Sequence, residues 1–308
     1  MSYVVTGGCG FIGSNFVNYL DKVVDDEVIV LDNLTYAGDS DYLDKSDKVR
    51  VVTCDINNDV FVHNLIRHNE PKAIFHFAAE SHVDNSIKNP NIFIETNVMG
   101  TNNVLRAALS SKVKRFHHIS TDEVYGSLGQ RGKFKETTPY DPRNPYSASK
   151  AASDHFVRAF HHTFGLPCTI SNCSNNYGPN QHKEKFIPTI LKSLIRGKKI
   201  PVYGQGSNIR DWIYVGDHCS AVWKILTEGK NGETYNVGSN CEKTNLEVIE
   251  AICEIMNLES SSCIEFVKDR LGHDFRYAIN ASKIRSELSW KPSCTFKHGL
   301  IKTIAHYA

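Results

Sequence analysis

Four glycines between a β-branched run and an apolar helical stretch constrain this chain more than anything else in its sequence. Residues 3–14 read Tyr-Val-Val-Thr-Gly-Gly-Cys-Gly-Phe-Ile-Gly-Ser, so Gly7, Gly8, Gly10 and Gly13 fit both G-x-x-G-x-x-G and G-x-G-x-x-G. Glycine is needed where a backbone turns tightly, where it must touch a pyrophosphate, and where a helix lies close to a sheet; the helix's free N–H groups attract the phosphate. Taken alone, such a loop is an ordinary glycine-rich turn. Here a second apolar run, Val28-Ile29-Val30-Leu31, ends at Asp32, 19 positions beyond Gly13. A carboxylate there suits a ribose 2′-hydroxyl and repels a 2′-phosphate. Strand, spacing and acid together predict a bound dinucleotide, and with no arginine close behind Asp32 they predict NAD rather than NADP.

Short β-branched runs go on alternating with longer helical stretches, which predicts an α/β fold, a Rossmann-type doubly wound parallel sheet. The expected strands are 3–6, 28–32, 50–53, 73–77, 115–120 and 167–173. Helices are expected over 92–110, after Asn89-Pro90, and over 146–164, opened by Pro145. Beyond about residue 175 the alternation weakens and turn signals appear at Tyr177-Gly178-Pro179 and Tyr203-Gly204-Gln205-Gly206. We therefore expect an NAD-binding domain over 1–175 and a smaller C-terminal substrate-binding lobe over 176–308, with the stretch around 212–238 able to return to the sheet.

Composition narrows the partners. Lys+Arg 35 against Asp+Glu 34 leaves a formal charge of +1, with no cationic surface that would make nucleic acid or anionic lipid a default partner. The nine cysteines are scattered without a C-x-x-C pair, which fits a reducing compartment such as the cytoplasm. No apolar run approaches the roughly 18 residues that span a bilayer, and the chain enters its first strand at once, so neither an anchor nor a signal peptide is expected. The 14 histidines lack any metal-ligand spacing, and His117-His118 on a strand would point to opposite faces. No metal site is expected.

Two further motifs carry chemistry. Tyr146 and Lys150 are four apart on the helix that Pro145 opens, hence on one face. A phenol is a poor base at neutral pH, but a nearby ammonium and a positive nicotinamide ring both favour phenolate. The fifth strand runs into Thr121-Asp122-Glu123, and ligands of open parallel sheets bind beyond the carboxyl ends of the strands. Alcohol oxidation needs one base; two adjacent carboxyl groups suggest further proton transfers, as in loss of water, one acting as acid and one as base.

Together with Asp32-Asn33-Leu34-Thr35-Tyr36-Ala37-Gly38, Ala78-Ala79-Glu80-Ser81-His82-Val83-Asp84, Asn172-Cys173-Ser174-Asn175-Asn176-Tyr177-Gly178-Pro179, Ile209-Arg210-Asp211-Trp212-Ile213-Tyr214-Val215 and Gly272-His273-Asp274, these motifs resemble the dTDP-glucose 4,6-dehydratase family of extended short-chain dehydrogenase/reductases. The resemblance implies a redox-neutral lyase acting on dTDP-glucose or UDP-glucose. Tyr146, aided by Thr121 and Lys150, would take the carbon 4 hydroxyl proton as hydride moves to tightly bound NAD. Glu123 would remove the carbon 5 proton, Asp122 would protonate the departing carbon 6 hydroxyl, and hydride would return to carbon 6.

The same resemblance places Gly7, Gly10, Phe11, Ile12, Gly13, Asp32, Asn33, Leu34, Thr35, Asp55, Ile56, Phe77, Ala78, Ala79, Ser81, Thr96, Tyr146 and Lys150 around the cofactor. It places Ser81, Thr121, Asn175, Lys185, Phe186, Pro201, Tyr203, Arg210, Asn245, Arg270 and His273 around the nucleotide sugar. Leu271 departs from the proline usual there. A homodimer through the helices at about 91–110 and 146–164 is also implied. The alternatives are a nucleotide-sugar 4-epimerase or decarboxylase on the same scaffold, against which the Asp122-Glu123 pair speaks, and a non-catalytic NAD-binding regulator, against which Thr121, Tyr146 and Lys150 speak. Thymine differs from uracil by one methyl group, a contact of about 1–3 kcal/mol, so the base is left open.

Overall fold

Alternation of side chains along parallel strands builds the centre of the molecule. The computed structural model describes residues 2–269 and 274–308, so Arg270, Leu271 and His273 lie outside the described residues. Strands β1 (Ser2–Thr6), β2 (Glu27–Asp32), β3 (Val49–Thr53), β4 (Ala73–His76), β5 (Phe116–Thr121) and β6 (Cys168–Cys173) match the six expected ones to within a residue at each end. Ile29 and Leu31 of β2 face one way, into a core with Val62 and Ile66 of α2 (Asp59–Asn69). Val28 and Val30 face the other way, onto Phe16, Val17 and Leu20 of α1 (Phe11–Val23). Each such fully buried side chain contributes about 1.5–3 kcal/mol relative to exposure, so a period of two covered on both faces specifies an interior sheet.

The helix expected over 92–110 is a continuous helical run with a widened middle. After α3 (Val83–Lys88), α4 (Pro90–Phe93) passes into a π-helical stretch, Ile94–Gly100, and then into α5 (Thr101–Ser110). Inside the π stretch, Asn97 accepts from the Glu80 N–H at 2.8 Å and donates to Glu80 O and to Ser149 Oγ. Periodicity cannot announce such a bulge, which commonly marks a functional site. Helix α6 (Pro145–Phe164) opens with Asn144 and Ser147 capping each other and Pro145 in the first turn, and Gly165 closes it at φ 71°.

The second half holds β7 (Asn175–Tyr177), α7 (Phe186–Ile195), β8 (Ile200–Tyr203), β9 (Ile209–Tyr214), α8 (Val215–Glu228), β10 (Thr234–Val237), β11 (Glu242–Thr244), α9 (Asn245–Ile255), α10 (Ser260–Cys263), β12 (Ile264–Val267), α11 (Ser282–Leu288) and α12 (Phe296–Tyr307). Strand β10 pairs in parallel with β6, completing a seven-stranded sheet of order β10-β6-β5-β4-β1-β2-β3. Helix α8 packs with α1 on one face of the sheet; α5 and α6 join α2 on the other. A three-stranded sheet β11-β9-β7 and a pair β12-β8 enclose a separate core with residues of α7, α9 and α12. Among the described residues no helix is long and apolar enough to cross a membrane. The order reverses between β1 and β4, and a crevice at the carboxyl ends of strands on either side of such a switch is the natural ligand site.

Candidate active site

A cleft of about 330 Å³ occupies that switch point. Its floor is the glycine loop. Gly7 has φ +68°, and a Cβ there would come within 2.5 Å of Ala78 N; at Gly13 a Cβ would meet Gly7 O at 2.1 Å. Only glycine permits this turn and this approach of helix to strand. Asp32 ends β2 and holds the loop in place, accepting from Cys9 N and Leu34 N at 2.9 Å each. Cys9 itself is fully buried, and burial pushes its thiol up to about 12, as befits a space-filler. The cradle thus offers helix N–H groups, an acid at the end of β2 and no room for side chains between them, which fits a dinucleotide.

The chemical groups stand where β5 ends. Thr121 caps a short 3-10 turn, Asp122–Tyr125, by accepting from Glu123 N at 3.2 Å; its hydroxyl donates to Asp122 Oδ1 at 3.5 Å and favours the ionised form of the Tyr146 phenol. Asp122 is 2% exposed, and its Oδ2 is buried without a hydrogen-bond partner among the described residues. Burial, then the charges of Glu123 and Asp211, hold the Asp122 carboxyl well above the carboxylate range. Glu123 is also raised by burial, but the charges of Arg210 and Lys185 and a hydrogen bond from Asn144 at 3.4 Å oppose the rise. Two adjacent carboxyls therefore sit in environments that push them apart, Asp122 toward acid and Glu123 toward base.

Tyr146 is held well above its ordinary value by burial and by the Glu123 charge, with the Thr121 hydroxyl opposing. The expected help from Lys150 takes an indirect form. Its Nζ donates to Ile119 O at 2.7 Å and lies 3.4 Å from His118 Nε2, and burial lowers the ammonium to about 8. Behind it is a dry wall. His118 Nε2 lies 3.2 Å from Asp154 Oδ1 with both side chains at 0% exposure, and Asp154 Oδ2 accepts from Ser120 Oγ at 2.9 Å and Tyr140 OH at 2.8 Å. His118 stacks on His76, which bridges Thr6 and Thr101. His117 points to the opposite face, onto Thr169 and Ser171.

Across the mouth of the cleft runs a rim of similar residue types. Tyr36 OH donates to Glu80 Oε2 at 3.4 Å and meets the His182 ring edge-on. Glu184 lies 3.7 Å from His82 Nε2 and 3.4 Å from His182 Nδ1, and Lys185 Nζ donates to Ser81 O at 2.9 Å.

A family model described as GDP-mannose 4,6 dehydratase matches residues 4–303. The dTDP-glucose 4,6-dehydratase of Xanthomonas campestris pv. campestris (strain B100) is 49% identical over 328 residues, spanning 99% of this chain and 93% of its own. The chain belongs to the dTDP-glucose 4,6-dehydratase family. The solved dTDP-glucose 4,6-dehydratase of Streptomyces venezuelae with NAD and TYD bound is 44% identical, with a TM-score of 0.95 over 100% of this chain and 97% of that one. A UDP-glucose 4-epimerase from Thermotoga maritima, with UDP-glucose, reaches a TM-score of 0.94 at 26% identity, over 100% and 98% of the two chains. Backbone shape alone therefore does not separate 4,6-dehydratases from 4-epimerases.

Most of the residues expected from the sequence meet in the 4,6-dehydratase cleft. Gly7, Gly10, Phe11, Ile12, Gly13, Asp32, Asn33, Thr35, Asp55, Ile56, Phe77, Ala78, Ala79, Ser81 and Thr96 line it, as do Thr121, Asp122, Glu123, Tyr146, Lys150, Asn175 and Lys185. Leu34, Phe186, Pro201, Tyr203, Arg210 and Asn245 stand outside its wall. Phe186 stacks on Trp212. The Arg210 guanidinium lies over the Tyr277 ring and donates to backbone oxygens of Ile209, Asp274 and Phe275, close enough to act on both carboxyls through its charge. Gln181, His182 and Glu184 also line the cleft, although no expectation named them; Glu80 and Cys173, quoted in the family motifs without a role of their own, line it too. Cys173 ends β6, so the strand-end rule that finds Thr121 finds it too. Glu80, His182 and Glu184 sit on loops, where adjacency to Ser81 and Lys185 is the one signal.

Proposed function

We propose that this chain dehydrates a nucleoside-diphosphate-glucose, dTDP-glucose ahead of UDP-glucose, to the 4-keto-6-deoxy sugar. The observation that carries the reading is the Asp122-Glu123 pair at the end of β5, Asp122 buried and Glu123 half-buried, lining one cleft with Thr121 and Tyr146 and split in acidity by its surroundings. Bound NAD supplies the acceptor for the carbon 4 hydride and returns that hydride to carbon 6, and its positive ring favours a phenolate beside it. Tyr146 takes the carbon 4 hydroxyl proton, with the Thr121 hydroxyl favouring its ionised form and Lys150 as the buried cation behind it. The resulting ketone acidifies carbon 5, whose proton Glu123 removes. Asp122 protonates the carbon 6 hydroxyl, which leaves as water; Glu123 gives a proton back to carbon 5 as the hydride arrives at carbon 6.

Incubation with dTDP-glucose and, separately, UDP-glucose is expected to give a product with the alkaline absorbance of a 4-keto sugar, faster from dTDP-glucose. Absence of that product from both sugars sinks the reading; a 4-epimer instead would move the chain to the epimerases. Asp122→Asn and Glu123→Gln are each expected to slow loss of water by about 10²–10⁴-fold while sparing the first oxidation.

The same reading keeps residues 1–175 as the NAD-binding domain and 176–308 as the nucleotide-sugar lobe, with β10 as the return to the sheet. It includes a homodimer through the helices at 91–110 and 146–164, supported by the exposed apolar side chains Ile92, Ile94, Met99 and Phe156 on them. Sedimentation at micromolar concentration tests that assembly. A cytoplasmic setting is supported by nine cysteines that are all unpaired.

A further inference from the structure

His118 has no part in the proton steps of the dehydratase reading, yet two neighbours compete for its Nε2. Lys150 Nζ lies 3.4 Å away and, as an ammonium, can only donate; Asp154 Oδ1 lies 3.2 Å away and, as a carboxylate, can only accept. A ring nitrogen that carries a proton serves the acid, and one without a proton serves the lysine. Both cannot be served, because the imidazole is neutral. His118 is fully buried, and burial together with the Lys150 charge lowers it to about 4. It therefore holds a single N–H, on Nε2 or on Nδ1.

The surroundings decide which. The Asp154 carboxyl is pinned at its other oxygen, where Oδ2 accepts from Ser120 Oγ at 2.9 Å and from Tyr140 OH at 2.8 Å. Arg158 Nη2 donates to the same Tyr140 hydroxyl at 2.8 Å, so the phenolic proton is committed to Asp154. Oδ1 is left to His118. Apart from that contact it has no hydrogen-bond partner among the described residues, and His118 Nδ1 has none either. With the proton on Nδ1, a buried N–H and a buried carboxylate oxygen both go unpaired. With the proton on Nε2, only the Nδ1 lone pair does. An orphaned buried N–H or charged oxygen costs more than an unused lone pair, so the Nε2–H form is the stable one.

Lys150 is the group that feels this choice. An ammonium has three donors, and one goes to Ile119 O at 2.7 Å. A bare Nε2 would take a second. A protonated Nε2 refuses it, and both remaining donors are left for the cleft that Lys150 lines together with Tyr146. We infer that Asp154 is a positioning residue: by holding His118 in its Nε2–H tautomer it denies Lys150 an acceptor behind it and keeps the ammonium turned to the cleft. A carboxylate that fixes the tautomer of an imidazole is a known way to aim a base; here it aims a cation, by refusal. The role rests on the dehydratase reading, in which Lys150 stands behind Tyr146.

The test uses NAD-loaded protein and two variants. Nitrogen NMR spectra of the histidine side chains in the unaltered protein should show His118 protonated at Nε2, its signal being the one lost when Asp154→Asn is combined with His118→Phe. In Asp154→Asn alone the amide oxygen keeps the Ser120 and Tyr140 hydrogen bonds and the amide N–H groups face His118, so the proton should move to Nδ1. Lys150 is then drawn back onto Nε2, as the charged donor outbids the amide. With dTDP-glucose, kcat is expected to fall by about 10–10²-fold, the range of one hydrogen bond to a charged group, with KM nearly unchanged. Adding His118→Phe removes the acceptor without restoring the lost charge, and it is expected to recover most of that loss. An Nδ1–H signal in the unaltered protein, or a double variant as slow as Asp154→Asn, overturns the positioning role while the 4-keto product still forms. No 4-keto product from the unaltered protein overturns the dehydratase reading and this role with it, whichever tautomer the spectra show.

Discussion

The wall behind Lys150 and the rim across the cleft mouth are made of the same parts, histidine, carboxylate, lysine and tyrosine, under opposite conditions. In the wall, His118 and Asp154 meet at 3.2 Å with neither side chain exposed. Burial holds His118 down at about 4, hence neutral, and hydrogen bonds from His118 and Tyr140 together with the charge of Lys150 hold the Asp154 carboxyl below its ordinary value despite burial. In the rim, His82 and His182 face a Glu184 side chain that is 26% exposed, and Glu80 is raised chiefly by desolvation. Water can stand in for any one partner at the rim. Nothing can at the wall, because an unpaired buried charge costs several kcal/mol where an exposed one costs almost nothing. Geometry is therefore fixed from behind, and the face that borders the open cleft is left able to change partners.

The most direct way to break that contrast is Asp154→Ala. It strips the acceptor from Ser120 and Tyr140 and the buried counter-charge from Lys150. A loss of about 3–5 kcal/mol is expected, read as a fall in the urea midpoint at unchanged slope. A loss below about 1 kcal/mol, the range of an exposed pair, would mean that the wall is no drier than the rim.

How far each region was legible in the sequence comes from the same physics. The sheet and the cradle could be read because burial on both faces imposes an apolar period of two, and because close backbone approach leaves glycine as the only choice; Gly7 and Gly13 would each collide if they carried a Cβ. Thr121, Asp122 and Glu123 could be read because a strand end at a switch point has a known destination. The wall had a signal of its own: Asp154 follows Lys150 by four, on the same helix face as Tyr146 and Lys150. A buried acid on an inward face asks for partners, and His118 on β5 is one. The rim had less: Tyr36, Glu80 and His82 stand in the family motifs, but nothing in the sequence brought them together with His182 and Glu184. Tyr36, Glu80, His182 and Glu184 come from three loops whose meeting is decided by the packing of distant elements, and the π-helical stretch that lets Asn97 hold Glu80 by its backbone leaves no period to detect.

Titration sharpens the contrast further. Lys150 in the folded protein is lowered to about 8 from 10.5, by burial first, with Asp154 and Cys173 opposing. His118, Tyr140 and, behind them, His76 and Arg158 also face this pocket of the wall. Between those two values the unfolded chain binds the lysine proton and the folded chain does not, so the Lys150 contribution to stability rises with pH across the window, by up to about 1.4 kcal/mol per pH unit. It is lost as pH falls through about 8. Activity has the opposite sign, because the cation behind Tyr146 disappears over the same range. Unfolding free energies of the unaltered protein and Lys150→Met, compared at about pH 7.5 and about pH 9.5, should differ in pH slope by this amount, with kcat of the unaltered protein falling. Equal slopes would mean that Lys150 keeps its proton and that the wall is wetter than its burial indicates.

The rim should give the smallest response, and of a different kind. Glu184→Gln removes the charge that His82 and His182 approach at 3.7 and 3.4 Å, but all three side chains keep contact with solvent. The expected cost in unfolding is below about 1 kcal/mol and shrinks in salt. Because Glu184 lines the same cleft as Asp122 and Glu123, its loss should act on the bound sugar, raising KM for dTDP-glucose more than it lowers kcat. A stability loss above about 2 kcal/mol, beyond what an exposed pair supplies, would show that the rim is an ion network as rigid as the wall. An unchanged KM with a large fall in kcat would place Glu184 among the groups that act on the reacting carbons, and the division between a fixed back and an adaptable front would no longer hold.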